Sequence, residues 1–207
     1  MPLWVAIVMV LMGALFAFKL LYVFGTGGML PITQGALFVS TSAPRIRATL
    51  DALPMDPGDR LYDLGCGDGR MLKAAAKRYG VQAVGFEVNP VAYVLAKIGT
   101  LGSDKIRICY GNFWTKDLSR ADVVFCYLFP DLMQKLATKL GHELQPGARV
   151  VSCNFPLSGW TPTQVLHPAS SRHADPVYLY RVPDSRPVRP AGAHPGLTLD
   201  IGKAPNR

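Results

Sequence analysis

The 207-residue chain carries 22 Lys and Arg against 14 Asp and Glu, a formal charge of +8, and 49% of its residues are hydrophobic. That length fits one domain with appendages, and the apolar content excludes a wholly disordered chain. Cys66, Cys109, Cys126 and Cys153 show no C-x-x-C pairing, and His142, His167, His173 and His194 stand at no ligand spacing, so neither a metal site nor a cysteine nucleophile is expected.

Residues 3 to 24 form an apolar run interrupted only by Gly13 and Lys19. At about 1.5 Å per residue such a helix crosses a hydrocarbon core of roughly 30 Å. A signal peptide is the competing reading, but the run is too long, lacks a basic leader and ends in no clear small-x-small cleavage site. A single-pass anchor in a lipid bilayer is therefore expected. No Lys or Arg precedes it, whereas Arg45, Arg47, Arg60 and Arg70 follow, which places the N-terminus outside and the remainder in the cytosol. Residues 41–182 hold 17 Lys and Arg against 12 Asp and Glu. A basic domain beside anionic headgroups accounts for that sign, and no Lys/Arg block with interleaved aromatics indicates a nucleic-acid partner.

A Gly- and Pro-punctuated linker is expected over 25–40. A capped helix follows at 42–50, with Ser42 as N-cap and Pro44 in its first turn. Strand and helix signals then alternate. Strands are predicted at 60–64, 82–87, 106–110, 121–128, 149–155, 163–166 and 177–181, with helices at 70–79, 91–101 and 131–143. Near-continuous apolar strands separated by helices imply an α/β fold, a doubly wound, mostly parallel seven-stranded sheet over 41–182, its last strand antiparallel. Residues 183–207, rich in Pro, Gly and Arg, read as a disordered tail.

The segment Asp63-Leu64-Gly65-Cys66-Gly67-Asp68-Gly69 joins a strand to a helix. Glycines at spacing two let backbone N–H groups approach a ligand and tolerate positive φ. The Asp-x-Gly-x-Gly-x-Gly spacing resembles motif I of class I S-adenosyl-L-methionine (AdoMet) methyltransferases rather than a G-x-G-x-x-G dinucleotide turn. An acid before the turn suits the cationic amino group of a methionine moiety. Other candidates fall at strand carboxyl ends, where open α/β sheets bind ligands. Glu87 is placed to accept ribose hydroxyls. Asn112 is placed to meet an adenine amine, with Phe113 beside the ring, although Gly111-Asn112 is also an ordinary turn. Tyr127 and Asn154 are candidates to hydrogen-bond an acceptor amine, and Phe155, Pro156 and Trp160 to line its channel or merely to pack. The Asn/Asp-Pro-Pro-Tyr/Phe sequence of many base-methylating enzymes does not follow the fourth strand.

One combination narrows the field: an N-terminal span, Phe38-Val39-Ser40-Thr41-Ser42, the motif from Asp63 to Arg70, Gly85-Phe86-Glu87-Val88-Asn89-Pro90, and Phe155-Pro156 followed by Trp160-Thr161-Pro162. Over residues 1–182 it resembles the small membrane-anchored protein-lysine N-methyltransferases of mitochondria and their prokaryotic relatives. In that family the acceptors are lysines of membrane proteins, an ATP synthase ring subunit and an adenine nucleotide carrier. The resemblance implies that Asp63, Gly65, Gly67, Gly69 and Glu87 hold AdoMet and that Thr41 and Ser42 fold over its methionine end. Cys66, where Ser is common, and Asn154, where a basic residue is expected, depart from the pattern. The expected activity is AdoMet-dependent N-methylation of a lysine on a membrane protein. A lipid acceptor, a nicotinamide-binding membrane protein and a non-catalytic AdoMet-binding membrane protein are the rival readings.

Overall fold

The computed structural model describes residues 2–28, 41–168 and 175–183. Helix α1 (Leu3–Gly28) runs four residues beyond the expected boundary at 24. Gly25, Gly27 and Gly28 each cost a helix only about 1 kcal/mol, and no proline intervenes before Pro31, so propagation continues. The window Leu3–Leu20 is long and apolar enough to cross a membrane, and none of it is buried against the rest of the chain. The remainder of the expected linker and the tail from 184 lie outside the described residues.

The expected alternation folds as β1 (Arg60–Leu64), α3 (Arg70–Tyr79), β2 (Gln82–Glu87), α4 (Pro90–Gly99), β3 (Ile106–Tyr110), β4 (Val123–Cys126), α5 (Met133–Glu143), β5 (Arg149–Cys153), β6 (Gln164–Leu166) and β7 (Val177–Arg181), preceded by α2 (Ala43–Ala52). Seven strands form one sheet in the order β3-β2-β1-β4-β5-β7-β6. The first five pair in parallel, and β7 runs antiparallel to both β5 and β6.

Alternation along the strands divides the interior in two. Leu61, Ala83, Val123, Phe125 and Val151 pack with residues of α2, α3 and α4 on one face. Leu64, Phe86, Val124, Val150 and Tyr180 pack with α5 on the other. Such two-sided burial accounts for the apolar runs in β4 and β5.

Several boundaries differ from the sequence expectation for local reasons. Strand β5 stops at Cys153, short of 155, because Asn154 turns to φ +75°. Strand β4 covers only Val123–Cys126: before it Asp122 accepts the Arg60 N–H on its side chain at 2.8 Å, and after it Pro130 opens a 3₁₀ turn (Pro130–Leu132). Helix α4 starts at Pro90 because Asn89 Oδ1 accepts the Val91 and Ala92 N–H groups at 2.9 and 3.2 Å. Ser42 occupies the N-cap position of α2, yet its side chain makes no capping bond.

Candidate active site

Strand order reverses between β1 and β4, β2 and β3 lying to one side and β5 to the other. A ligand crevice opens beyond the carboxyl ends at such a switch point. Asp63 of β1 sits in register with Phe125 of β4, and Tyr127 follows β4 directly. Those residues, with Thr41, Gly65, Gly67 and Arg70, line one cleft. Residues distant in sequence thus converge where topology places a binding site.

Asp63 is 2% exposed, and its carboxylate accepts no hydrogen bond from a described residue. Burial, reinforced by the Glu87 and Asp68 charges, pushes its carboxyl well above the ordinary range. A buried acid in that condition gains most from a bound cation. Gly65, exposed, and Gly67, buried but lining the cleft, hold φ of +83° and +57° and bring backbone to it without a Cβ. Gly69 has φ +73° and caps α3, but a Cβ there would meet Ala96, Thr100 and Ile108 at 3.6–3.7 Å. Its side faces α4, so it serves the turn and the packing of α4 rather than the cleft.

Glu87 is 7% exposed and tied to backbone. Its Oε2 accepts the Gly67 N–H at 2.8 Å, and its Oε1 accepts those of Val88 and Asn89 at 2.9 and 2.7 Å. Three of roughly four acceptor positions are thereby used. One ribose hydroxyl fits without rearrangement, whereas two require sharing a position.

Two arginines given no site role in the sequence stand here, Arg70 in the cleft wall and Arg45 against Tyr127. Arg70 Nε and Nη2 grip the Asp68 carboxylate at 2.9 and 2.6 Å, and Nη1 donates to the Thr41 carbonyl at 3.2 Å. This bond holds the segment before α2 against the glycine turn, and the Arg70 hydrogen bonds keep Asp68 below the usual carboxylate range. The Arg that ends Gly67-Asp68-Gly69-Arg70 was the available signal. Arg45, 4% exposed, bonds Asp175 at 2.7 Å and lies over the Tyr127 ring at 5.2 Å. Nothing in the spacing of 45, 127 and 175 foretells that stack.

Thr41 lines the cleft, and the Ser42 hydroxyl beside it is buried without a described partner. Asn112 spends its Oδ1 on the Trp114 N–H, capping the 3₁₀ turn Phe113–Thr115, which leaves its amide NH₂ as donor. The oxygen's second lone pair can still accept from an adenine amine, so the expected Asn112 pairing requires an acceptor shared with Trp114. Phe113 is buried against Trp114 and the α5-side core rather than open to a ring.

The expected acceptor channel is divided between faces. Tyr127 packs on the α3 side, whereas Phe155 and Trp160 pack against the α5-side core. Trp160 stands edge-on to Tyr180, their centroids 6.0 Å apart, and Pro156 is exposed. Asn154 donates its N–H to the Pro176 carbonyl at 2.8 Å. Among the described residues no group of three His, Cys, Asp or Glu is arranged to hold a metal ion.

Cys66 explains its own departure from the motif. A Cβ on Gly85 would come within 2.6 Å of its Sγ, so the sulfur occupies the notch that Gly85 leaves. Burial, with Asp63 and Glu87 nearby, raises this thiol far above its ordinary value, which suits a packing element rather than a nucleophile.

A buried carboxylate that accepts no hydrogen bond from a described residue, beneath a glycine turn, fits AdoMet: Asp63 would meet the ammonium, Gly65 and Gly67 would allow close approach, and Glu87 would meet the ribose. Residues 63–164 match the family model described as the ANTKMT methyltransferase domain. A protein-lysine N-methyltransferase of Saccharolobus islandicus is 39% identical over 147 residues, covering 69% of this chain and 91% of that one. The chain belongs to this protein-lysine N-methyltransferase family. The mouse adenine nucleotide translocase lysine N-methyltransferase is 34% identical over 161 residues, 76% of this chain and 68% of that protein. Among solved structures, an RNA methyltransferase of Salinibacter ruber with S-adenosyl-L-homocysteine bound superposes with a TM-score of 0.65 at 33% identity, covering 72% of this chain and 97% of that one. As a member of the family the chain is an AdoMet-dependent methyltransferase with the class I fold expected from its sequence.

Proposed function

We propose that this protein N-methylates a lysine of a membrane-embedded or membrane-adjacent protein, from a domain held at the cytosolic side of a bilayer by α1. The observation that carries this reading is the pairing of a methyltransferase domain 39% identical to a protein-lysine N-methyltransferase with an N-terminal helix apolar enough to cross a membrane. The basic residues that follow α1, Arg45, Arg47, Arg60 and Arg70 among them, support a domain on the cytosolic side. The mouse relative is named for the lysine of a translocase.

AdoMet supplies a methyl on a sulfonium that is already a good leaving group. The chain's own residues therefore have to bind, orient and dry the site rather than supply a strong base. Asp63 neutralises the ammonium end, and the Arg70–Thr41 bond closes the segment before α2 over it. Tyr127, which lines the same cleft with the Arg45 guanidinium over its ring at 5.2 Å, is a candidate to hydrogen-bond the amine. Asn154 remains a candidate for the amine, its left-handed backbone placing it at the end of β5.

The test is incubation of purified protein with tritiated-methyl AdoMet and host membranes, counting protein, lipid and RNA fractions separately. Counts in one small membrane protein, with methyl-lysine after hydrolysis, support the reading. Counts in lipid alone select the lipid acceptor. The name of the Salinibacter structure favours an RNA acceptor as second reading, and counts in RNA alone would select it.

A further inference from the structure

The β3 flank of the sheet carries an apolar surface that the transfer chemistry leaves unused. On α4, Val94, Leu95 and Ile98 are 50%, 48% and 61% exposed, and Leu101, just past the helix, is 78% exposed. At about 100° per residue Val94 and Ile98 lie on one stripe, flanked by Leu95 on one side and Lys97 on the other. Tyr110 at the end of β3 extends the patch, 52% exposed and in tilted contact with Tyr93 of α4, their ring centroids 5.3 Å apart. At the other end of α4 a basic hollow is lined by Lys73, Lys77 and Lys105 with Thr100, Leu101 and Ser103. Lys73 Nζ lies against Gly99, and Lys105 donates to the Gly80 carbonyl at 3.1 Å. The carboxyl ends of α3 and α4 contribute about half a negative charge each, and Asp104 one more. Three hollow lysines and Lys97 exceed that sum.

We propose that this flank lies on an anionic phospholipid bilayer, with Val94, Leu95, Ile98 and Leu101 entering the headgroup region and the Lys73–Lys77–Lys105 hollow taking a lipid phosphate. The inference rests on the membrane reading above. An apolar stripe rimmed by lysines is what an interfacial helix presents to acidic lipid, and a soluble surface has no use for four large apolar side chains together. Only twelve residues separate Gly28 from Thr41, at most about 45 Å of chain, so a domain behind a spanning α1 stays within reach of the bilayer. Helix α4 begins beside Glu87 and runs back along the sheet, so laying it on the bilayer turns the cleft sideways at headgroup height. A lysine projecting from a membrane protein enters at that height.

The test uses the full chain with Cys109→Ser and a nitroxide on Leu101→Cys or, as control, on Thr138→Cys of α5. It is placed in phosphatidylcholine vesicles with and without one-third phosphatidylglycerol. With the acidic lipid, the ratio of oxygen to nickel-chelate collisions at 101 should rise several-fold, with no change at 138. Lys73→Glu/Lys77→Glu should abolish that rise. A protein that floats with the vesicles but shows no rise at 101 overturns the proposed face while leaving the anchor intact. Failure to float at all overturns both. Shielding at 101 from both probes, in neutral and acidic vesicles alike, means that protein covers the patch and overturns the lipid contact.

Discussion

Arg70 donates to the carbonyl of Thr41, 29 positions earlier, at 3.2 Å while clamped by Asp68. One guanidinium thereby joins the glycine turn to the segment before α2, so the two sides of the cleft move together. Lys cannot reproduce the fork. Arg70→Lys should weaken AdoMet binding by about tenfold, close to 1.4 kcal/mol, with little change in melting temperature. Calorimetric titration of the variant checks this, and an unchanged Kd would show that the bond does not order the site.

Asp63 makes a pH-dependent prediction. Its folded-state carboxyl is raised by burial, then by Glu87 and Asp68, so it holds its proton more tightly folded than unfolded. The stability this contributes is present at low pH and is lost as pH rises through the raised value. AdoMet binding runs the other way, because only the ionised acid pairs with an ammonium. Affinity should fall on acidification while pH is still above the ordinary Asp value of about 3.9. Asp63→Asn should melt higher than the parent without cofactor near neutral pH, yet bind AdoMet on the order of a hundredfold more weakly. Melting curves with and without AdoMet across pH measure both effects.

Glu87→Ala leaves the N–H groups of Gly67, Val88 and Asn89 without their acceptor. At about 1–3 kcal/mol for a buried unsatisfied group, that variant should lose stability as well as cofactor. Glu87→Gln keeps an acceptor oxygen and should retain most of the fold while binding AdoMet several-fold more weakly. Equal melting temperatures for the Ala and Gln variants would contradict the backbone-bracing role.

Gly85→Ala should be among the most damaging small changes. Its Cβ would meet Cys66 Sγ and Leu72 Cδ1, both at 2.6 Å, in the packed interior. A destabilisation of about 1–3 kcal/mol is expected from overpacking. The double variant Gly85→Ala/Cys66→Ala should recover part of it, read from denaturant midpoints as a non-additive cycle.

Trp160 packs on Tyr180, away from Tyr127. Trp160→Ala should therefore lower the melting temperature while leaving AdoMet affinity within about twofold, since distant sites usually act independently. A tenfold rise in acceptor KM with unchanged stability would instead restore Trp160 to the acceptor channel.

The sequence by itself determined the strand–turn–helix around Asp63, the alternation that builds a covered sheet, and the apolar N-terminal helix. Each is written in local periodicity, glycine spacing or an uninterrupted apolar run, so β1, β2, β3 and β7 have their expected bounds. What it left undecided depends on residues far apart in the chain. Arg45 meets Tyr127 and Asp175, and Arg70 meets Thr41, only once the sheet order brings α2 over the β1–β4 switch point. Asn112 and Phe113 read as adenine contacts because the turn sits at a strand end. The tertiary structure makes the Asn112 oxygen share its lone pairs with the Trp114 N–H and turns the Phe113 ring to the core. Phe155 follows Asn154 directly and Trp160 comes just after Gly159, yet with left-handed backbone at both Asn154 and Gly159 the two rings pack on the opposite face. A strand's period of two assigns sides only while the strand lasts; past its end, packing against the nearest core decides which face a side chain serves.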